Sequence, residues 1–150
     1  MSMNRFFNTE LETSLRIALL LANAESPLDV EEITVMDFVS TYSGAFSRNR
    51  KNINGNNRFM FNEYASRRVR VETAVKRLVL DGLATPGFSP EGFTYSLSDE
   101  GCRFARSLNS DYAIEYRETS MFAISYVAEN GIGKVLRTIN RNKIKDAEED

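Results

Sequence analysis

The chain has 150 residues, a formal net charge of −2, one cysteine and no histidine. A chain of this length buries about two thirds of its unfolded surface, so one domain can fold without a metal or a disulfide. The absence of histidine excludes Ser-His and Cys-His nucleophile pairs and histidine-bound zinc. No paired acids stand in an apolar setting that would suit carboxylate catalysis. We therefore predict no catalytic residue, no metal site and no cofactor, and we expect a binding protein rather than an enzyme.

The sequence predicts a cytoplasmic protein. Its longest apolar stretch, residues 17–22, is far shorter than the roughly 20 residues of a membrane span. Acidic residues precede that stretch and no cleavage-site pattern follows it, which is unlike a signal peptide. The single Cys102 cannot form an intramolecular disulfide and indicates a reducing compartment.

The first part of the chain predicts two capped helices. Thr9 with Glu12, and Asp29 with Glu32 after the break at Pro27, have the spacing of capping boxes. The first helix carries apolar residues on one face and beyond it: Leu11, Leu15, Ile17, Ala18, Leu19, Leu20, Leu21 and Ala22. That excess predicts burial on more than one side. The second helix should span about 30–42, with these residues in the core: Ile33, Met36, Phe38 and Val39.

Residues 43–62 have no sustained period and are rich in Asn, Gly, Arg and Lys, which predicts a long loop. Twenty residues without structure are uncommon in a compact domain and are usually functional or disordered. A DNA-reading helix-turn-helix joins its helices by about three to four residues. The loop therefore departs from the usual DNA-binding pattern.

Residues 63–83 predict a third helix, and a hairpin and a short helix capped by Ser98 follow. The core positions of the third helix are Tyr64, Val71, Val75 and Leu78, whereas Arg67, Arg70 and Arg77 share another face and are expected to form an exposed stripe. We interpret this order as a winged helix. DNA-binding wings normally carry Lys or Arg, but the only charge between Leu83 and Ser98 is Glu91, which favours contact with protein.

Residues 48–77 carry a net charge of +7 and the remainder carries −9. Aromatic residues are interleaved with these charges, and the segment could contact nucleic acid or an acidic protein partner. The candidate contact residues are Arg48, Arg50, Lys51, Arg58, Arg67, Arg70 and Arg77. The alternative is an ordinary solvated helix face with i,i+4 pairs between Glu63 and Arg67 and between Glu72 and Lys76.

The C-terminal part predicts a helix over about 110–130, a cap turn at Gly131 and a last amphipathic helix. The apolar surface exceeds what one winged-helix core would bury, so we predict a protein interface that includes Tyr116, Met121, Phe122 and Leu136. Alternatively the tyrosines simply pack against the domain. The predicted division is a winged-helix domain over 1–109 with its loop 43–62, a helical extension packed on it over 110–144, and a flexible tail over 145–150.

The chain resembles the middle component 2 family of ABC-three-component systems. Four segments carry the resemblance, which covers about residues 7–128: LETSLRIALLLANA, LDVEEITVMDFVSTYSGAF, YASRRVRVETAVKRLVLDGLA and GFTYSLSDEGCRFARSLNSDYA. The family often ends its second helix with an LHSG-like sequence, where this chain has Tyr42-Ser43-Gly44, and its loop is often richer in proline.

The resemblance implies a mostly α fold with a small β-hairpin, as a winged-helix domain plus C-terminal helices. Such proteins accompany an SMC-like or Rad50-like ABC ATPase and an effector in bacterial defence operons, including Lamassu-type systems. We therefore expect a non-enzymatic adapter that links the ATPase to an effector nuclease, with DNA reached through the complex and no membrane partner. The alternative is a winged-helix DNA-binding transcriptional regulator that reads DNA with Arg67, Arg70 and Arg77.

Overall fold

A computed structural model describes the backbone of residues 9–53 and 60–149 and the side chains of this part up to Lys143. Its helices and strands are α1 (Glu10–Asn23), α2 (Val30–Thr41), α3 (Tyr64–Leu80), β1 (Ala84–Ser89), β2 (Gly92–Leu97), α4 (Asp99–Ser107), α5 (Asp111–Asn130) and α6 (Ile132–Glu149). The prediction of a mostly helical fold with a small hairpin is confirmed.

The helices begin where their cap residues stand. The Thr9 hydroxyl accepts a hydrogen bond from the Glu12 backbone N–H at 3.1 Å. Asp29 and Glu32 form a complete capping box, with side chain-to-backbone distances of 2.7 and 3.1 Å. Ser98 caps α4 through its side chain. Each such cap stabilises a helix by about 0.5–2 kcal/mol, so local sequence fixes these boundaries.

The two N-terminal helices form the centre of the fold, because α1 and α2 each pack against both α3 and α5. Residues 17–21 of α1 are all buried, and Ser14 and Arg16 are buried with them. The prediction that α1 is buried on more than one side is confirmed. The expectation that Leu11 and Ala22 belong to the buried apolar face was wrong. Both residues are exposed, because they lie at the two ends of the buried part of the helix.

Helix α2 is buried continuously over residues 33–41, including the four predicted core residues. Its threonine and serine hydroxyls donate hydrogen bonds to carbonyl groups of the same helix. Thr34 donates to the Val30 carbonyl at 2.7 Å and Ser40 to the Met36 carbonyl at 2.6 Å. The helix can therefore be enclosed without leaving these polar groups unpaired.

The hairpin pairs β1 with β2 in antiparallel register from Ala84 opposite Leu97 to Ser89 opposite Gly92. Leu28, between α1 and α2, adds an isolated bridge to Tyr95, with N···O distances of 3.0 and 2.8 Å. This bridge ties the hairpin to the helices and supports the winged-helix interpretation.

The C-terminal helices join through Gly131, which has φ of 86° and donates its N–H to the Val127 carbonyl at 2.8 Å. Residues other than glycine rarely adopt that conformation, and the predicted cap turn is confirmed. Helix α6 continues to Glu149, and the flexibility predicted for residues 145–150 stays a prediction. The proposed division at residue 109 stays a prediction, although α5 contributes to the same core as α1–α3. In the described part of the chain, every helix is too short or too polar to span a membrane.

Candidate protein interface

Arg67 lies inside the protein and not on an exposed stripe. Its side chain is 1% exposed and donates from Nη1 to Asp37 Oδ2 at 2.9 Å and to Thr41 Oγ1 at 2.7 Å. The prediction of a continuous exposed arginine face was wrong, because the neighbouring α2 presents a buried carboxylate to Arg67. The guanidinium is thus compensated in the core and is not available to a phosphate.

Asp37 is the centre of a polar cluster that joins four helices. Arg16 of α1 donates from Nε to Oδ1 at 3.0 Å, and the Tyr116 hydroxyl of α5 donates to the same oxygen at 2.6 Å. Burial alone would raise the pKa of Asp37, but Arg16 and Arg67 outweigh it and hold that pKa below its usual range. The carboxylate is therefore ionised in the folded protein, where it holds α1, α2, α3 and α5 together.

Tyr116 is fully buried, so its predicted place in a protein interface was wrong. The alternative that this tyrosine packs against the domain is confirmed. Burial and the adjacent Asp37 carboxylate raise the pKa of its hydroxyl well above the usual value. Tyr116 therefore acts as a neutral hydrogen-bond donor to the core cluster.

Glu63 connects this core to the segment before α3. Its carboxylate accepts hydrogen bonds from the Arg67 guanidinium and, at 2.9 Å, from the Tyr42 hydroxyl. The second predicted pair, Glu72 with Lys76, spans 3.5 Å on the exposed side of α3. Both predicted pairs are present, but only the second lies on a solvated face.

The remaining predicted basic contacts are dispersed. Arg48, Lys51 and Arg77 are exposed, whereas Arg50 and Arg70 are half-buried. Arg77 lies 3.7 Å from Asp81 and 3.9 Å from Glu10. Arg58 falls outside the described residues. The described arginines therefore do not form one reading face.

The first part of the predicted loop is a hydrogen-bonded turn. Ser43 donates from Oγ to the Lys51 carbonyl at 3.0 Å, and the Gly44 N–H donates to Asn52 Oδ1 at 2.9 Å. A Cβ at Gly44 would lie only 2.9 Å from the Arg50 carbonyl oxygen, so this close approach requires glycine. Residues 43–45 and 60–63 form short 3₁₀ helices, so the ends of the loop are regular.

This turn places Arg50 against α5. The Arg50 guanidinium lies 4.2 Å from the centre of the Phe122 ring, a cation–π contact worth about 0.5–1 kcal/mol at an exposed site. Phe46 packs on Tyr126, which in turn packs on Phe122. The predicted basic loop and the predicted α5 interface are therefore in contact with each other. We call Arg48, Arg50, Lys51 and Phe122 the loop–α5 surface.

Met121 lies on a different side of α5 from Phe122, because consecutive helical residues are about 100° apart. It is exposed and borders a groove of about 460 Å³ between α5 and the adjoining ends of α1 and α2. Met36, Ile124 and Ile132 line this groove, with Glu32 at its edge. The predicted interface residue Leu136 is half-buried on α6. The structure therefore separates Met121 from the loop–α5 surface.

The wing carries an apolar surface that sequence reasoning missed. Leu80 is 80% exposed, Phe88 77% and Phe93 58%. The two phenylalanine rings pack across the hairpin with centroids 5.3 Å apart. A groove of about 330 Å³ between α3 and the hairpin is lined by Lys76, Val79, Leu80, Pro86, Phe93 and Tyr95. We call Val79, Leu80, Pro86, Phe88 and Phe93 the wing patch.

A signal for the wing patch was present in the sequence. Phe88 and Phe93 stand on either side of the turn, at positions that pair directly in the hairpin. Cross-strand aromatic pairs of this kind stabilise a hairpin and form one surface. Contiguous exposed apolar surface marks a binding site more often than scattered single residues do.

Residues 6–149 match the sequence model of a protein family, which is described as ABC-three component (ABC-3C) system Middle Component 2. The chain belongs to this family. The predicted family is thereby confirmed, and membership implies a role in an ABC-three-component defence system together with its other components. No curated protein and no solved structure matches the chain.

Proposed function

We propose that this middle component is a non-enzymatic, cytoplasmic adapter that links an SMC-like or Rad50-like ABC ATPase to an effector nuclease. The observation that carries the proposal is the apolar wing patch beside α3, where a DNA-binding winged helix would present basic residues. Hydrophobic side chains that stay exposed next to a formed groove are typical of protein docking sites.

An adapter needs separate surfaces for two partners. The chain offers the Met121 groove on one side of α5 and the loop–α5 surface on another. The first is apolar with acidic residues at its edge, whereas the second combines exposed basic side chains with an aromatic ring. These opposite characters suit two chemically different partners, because electrostatic complementarity supports specificity.

The competing proposal is a DNA-binding regulator, and the geometry weakens it. Its reading face would need Arg67, which is compensated by Asp37 in the core. Arg70 is half-buried and Arg77 has acidic neighbours. The exposed Arg48 and Lys51 could support weak, salt-sensitive contact with phosphates, which an adapter in a DNA-sensing complex can also use.

Co-purification of the three components tests the adapter proposal. The wild-type chain should retain both the ATPase and the effector, and at least one of Met121→Asp, Phe122→Asp and Leu136→Asp should abolish retention of the ATPase. Ile114→Asp, at another exposed apolar position of α5, is the matched control and should retain it. Circular dichroism of each isolated variant shows whether the domain stays folded.

Two results would contradict this proposal. The first is a wild-type chain that retains neither component. The second is a nanomolar, sequence-selective duplex complex at physiological salt that is lost when Arg48, Arg50 and Lys51 are replaced by alanine. That outcome would establish the regulator instead.

A further inference from the structure

A cleft of about 320 Å³ lies between α3 and α6. Helix α6 is held beside the start of α3, because Val135 and Ile139 are buried in the core and the helix packs on the 3₁₀ helix over 60–63. A volume near 300 Å³ is at the lower end of the range for small-molecule sites. The cleft is lined by Tyr64, Ala65, Arg68, Val69, Glu72, Asn140 and Lys143. We call it the α3–α6 cleft.

Helical spacing brings the polar side chains of the cleft together. Tyr64, Arg68 and Glu72 follow one another at intervals of four residues, so they lie on one face of α3. Asn140 and Lys143 are three residues apart and share one face of α6. The two helices therefore place two cations, an amide and a tyrosine around one cleft, together with a single carboxylate.

The two cations of the cleft differ from the other basic residues of α3. Those other residues each lie beside a carboxylate, namely Arg67, Arg70, Lys76 and Arg77. Arg68 and Lys143 are exposed and form no ion pair within the described part of the chain. Among the described lining residues only Glu72 is acidic, and Lys76 at 3.5 Å offsets its charge. The α3–α6 cleft therefore carries an excess of positive charge.

The cleft is also lined by a residue whose hydroxyl lacks an acceptor. The Tyr64 hydroxyl is buried and has no hydrogen-bond partner among the described residues, which is unfavourable for a buried polar group. An edge contact with Phe38, with ring centroids 5.8 Å apart, holds the Tyr64 ring in place. Burial and, to a smaller extent, Glu31 raise the pKa of Tyr64 to about 12. The hydroxyl is therefore protonated, and a ligand oxygen would supply the missing acceptor.

We propose that the α3–α6 cleft binds a small phosphate monoester. Such a group carries about two negative charges near neutral pH, which Arg68 and Lys143 balance, whereas a carboxylate carries only one. The guanidinium of Arg68 matches phosphate oxygens with two parallel N–H groups, and Lys143 adds a compact charge. Tyr64 donates a hydrogen bond to a further phosphate oxygen.

The rest of the cleft indicates the body of the ligand. Ala65, Val69 and the ring of Tyr64 provide an apolar lining, which suits an apolar or aromatic group attached to the phosphate. Duplex DNA fits this cleft less well, because its extended backbone is neutralised by a series of cations and the described lining has two. The site shares no lining residue with the Met121 groove or with the wing patch, and it does not depend on the proposed adapter role.

Isothermal titration of the full chain with phenyl phosphate tests this site. The wild type should show one saturable site, and Arg68→Gln and Lys143→Gln should each weaken binding about tenfold or more, as expected for the loss of a charged hydrogen bond. Arg106→Gln, which removes an exposed arginine of α4, is the matched control and should leave the affinity unchanged. Inorganic phosphate should bind more weakly than phenyl phosphate, because it cannot use the apolar lining.

Tyr64→Phe separates binding from folding. Because it removes a buried hydroxyl without a partner, it should not lower the thermal midpoint of the ligand-free protein. It should nevertheless weaken the binding of phenyl phosphate about tenfold. A variant that unfolds at lower temperature and binds as tightly as wild type would overturn the role of this hydroxyl as a ligand donor.

Other outcomes would overturn the whole site. They are a wild-type chain without saturable binding, equal weakening by Arg106→Gln, and inorganic phosphate that binds as tightly as phenyl phosphate. The second outcome would indicate non-specific attraction between charges, and the third an adventitious ion only. A duplex oligonucleotide that displaces phenyl phosphate and loses affinity with Arg68→Gln would assign the cleft to nucleic acid instead. Circular dichroism of each variant verifies that the domain is folded.

Discussion

The inner and outer sides of α3 give two arginines opposite environments. Arg67 is enclosed with Asp37, whereas Arg77 is exposed near Asp81. On an ideal helix the two side chains are only about 80° apart. The boundary between core and surface passes between them, so a shared helical face did not imply a shared environment.

The difference shows what a buried arginine requires. A guanidinium cannot leave water without an opposite charge and several acceptors, and Arg67 obtains these from Asp37, Thr41 and Glu63. Arg77 remains hydrated and needs no such partner. The inner side of α3 therefore depends on long-range pairing, while its outer side remains available for binding.

Asp37→Asn breaks the inner side most severely. It leaves Arg16 and Arg67 without their buried counter-charge, and we expect a loss of about 3–5 kcal/mol in the free energy of unfolding. Urea denaturation followed by circular dichroism measures this loss. The control is Glu72→Gln, because Glu72 lies on the exposed side of α3, the helix that also carries Arg67. It should change the free energy of unfolding by less than about 0.5 kcal/mol. Similar losses in the two variants would contradict the contrast.

Acidic pH should weaken the stabilisation by Asp37 even in the wild-type protein. Because the pKa of Asp37 is lower in the folded than in the unfolded chain, its contribution is present above the unfolded pKa of about 4 and is lost as pH falls through the folded value. The stability difference between wild type and Asp37→Asn should therefore narrow in acid. Urea denaturation of both proteins at about pH 7 and at successively lower pH measures it. A constant difference would show that ionisation of Asp37 is unimportant.

Much of the fold could be predicted because its signals are local. The capping residues Asp29 and Ser98 located helix starts, and Gly131 located a turn. Each signal acts within a few residues, so one sequence is enough to read it. The wing patch was missed because the exposure of Phe88 and Phe93 depends on which elements pack beside the hairpin.

The polar core was harder to predict because its partners are distant in sequence. Asp37 precedes Arg67 by 30 residues and Tyr116 by 79. A partial signal existed, since Arg67 stands in line with the apolar positions Val71 and Leu78 on the inner face of α3. Arg67 was predicted to be exposed because it is charged, whereas its helical spacing from Val71 and Leu78 favoured a buried position. Only the packing of α2 and α5 on α3 brings the compensating groups together.

Tyr116→Phe sharpens the comparison by removing one donor from the inner cluster while keeping the ring. A hydrogen bond to a charged group contributes about 1.5–3 kcal/mol, and Asp37 retains both arginines, so we expect a loss near 1.5 kcal/mol. Thermal or urea unfolding measures it. No measurable loss would mean that the 2.6 Å contact adds little to the stability supplied by the arginines.

The smallest expected effect on stability is that of Arg77→Ala. Exposed ion pairs contribute about 0–1 kcal/mol because water screens them and long side chains lose entropy, and both acidic neighbours of Arg77 lie at least 3.7 Å away. We expect unfolding to change by less than about 0.5 kcal/mol, far less than for Arg67→Ala. Parallel urea denaturation of Arg77→Ala and Arg67→Ala measures this difference. A loss for Arg77→Ala as large as that for Arg67→Ala would contradict the contrast between the buried and exposed sides of α3.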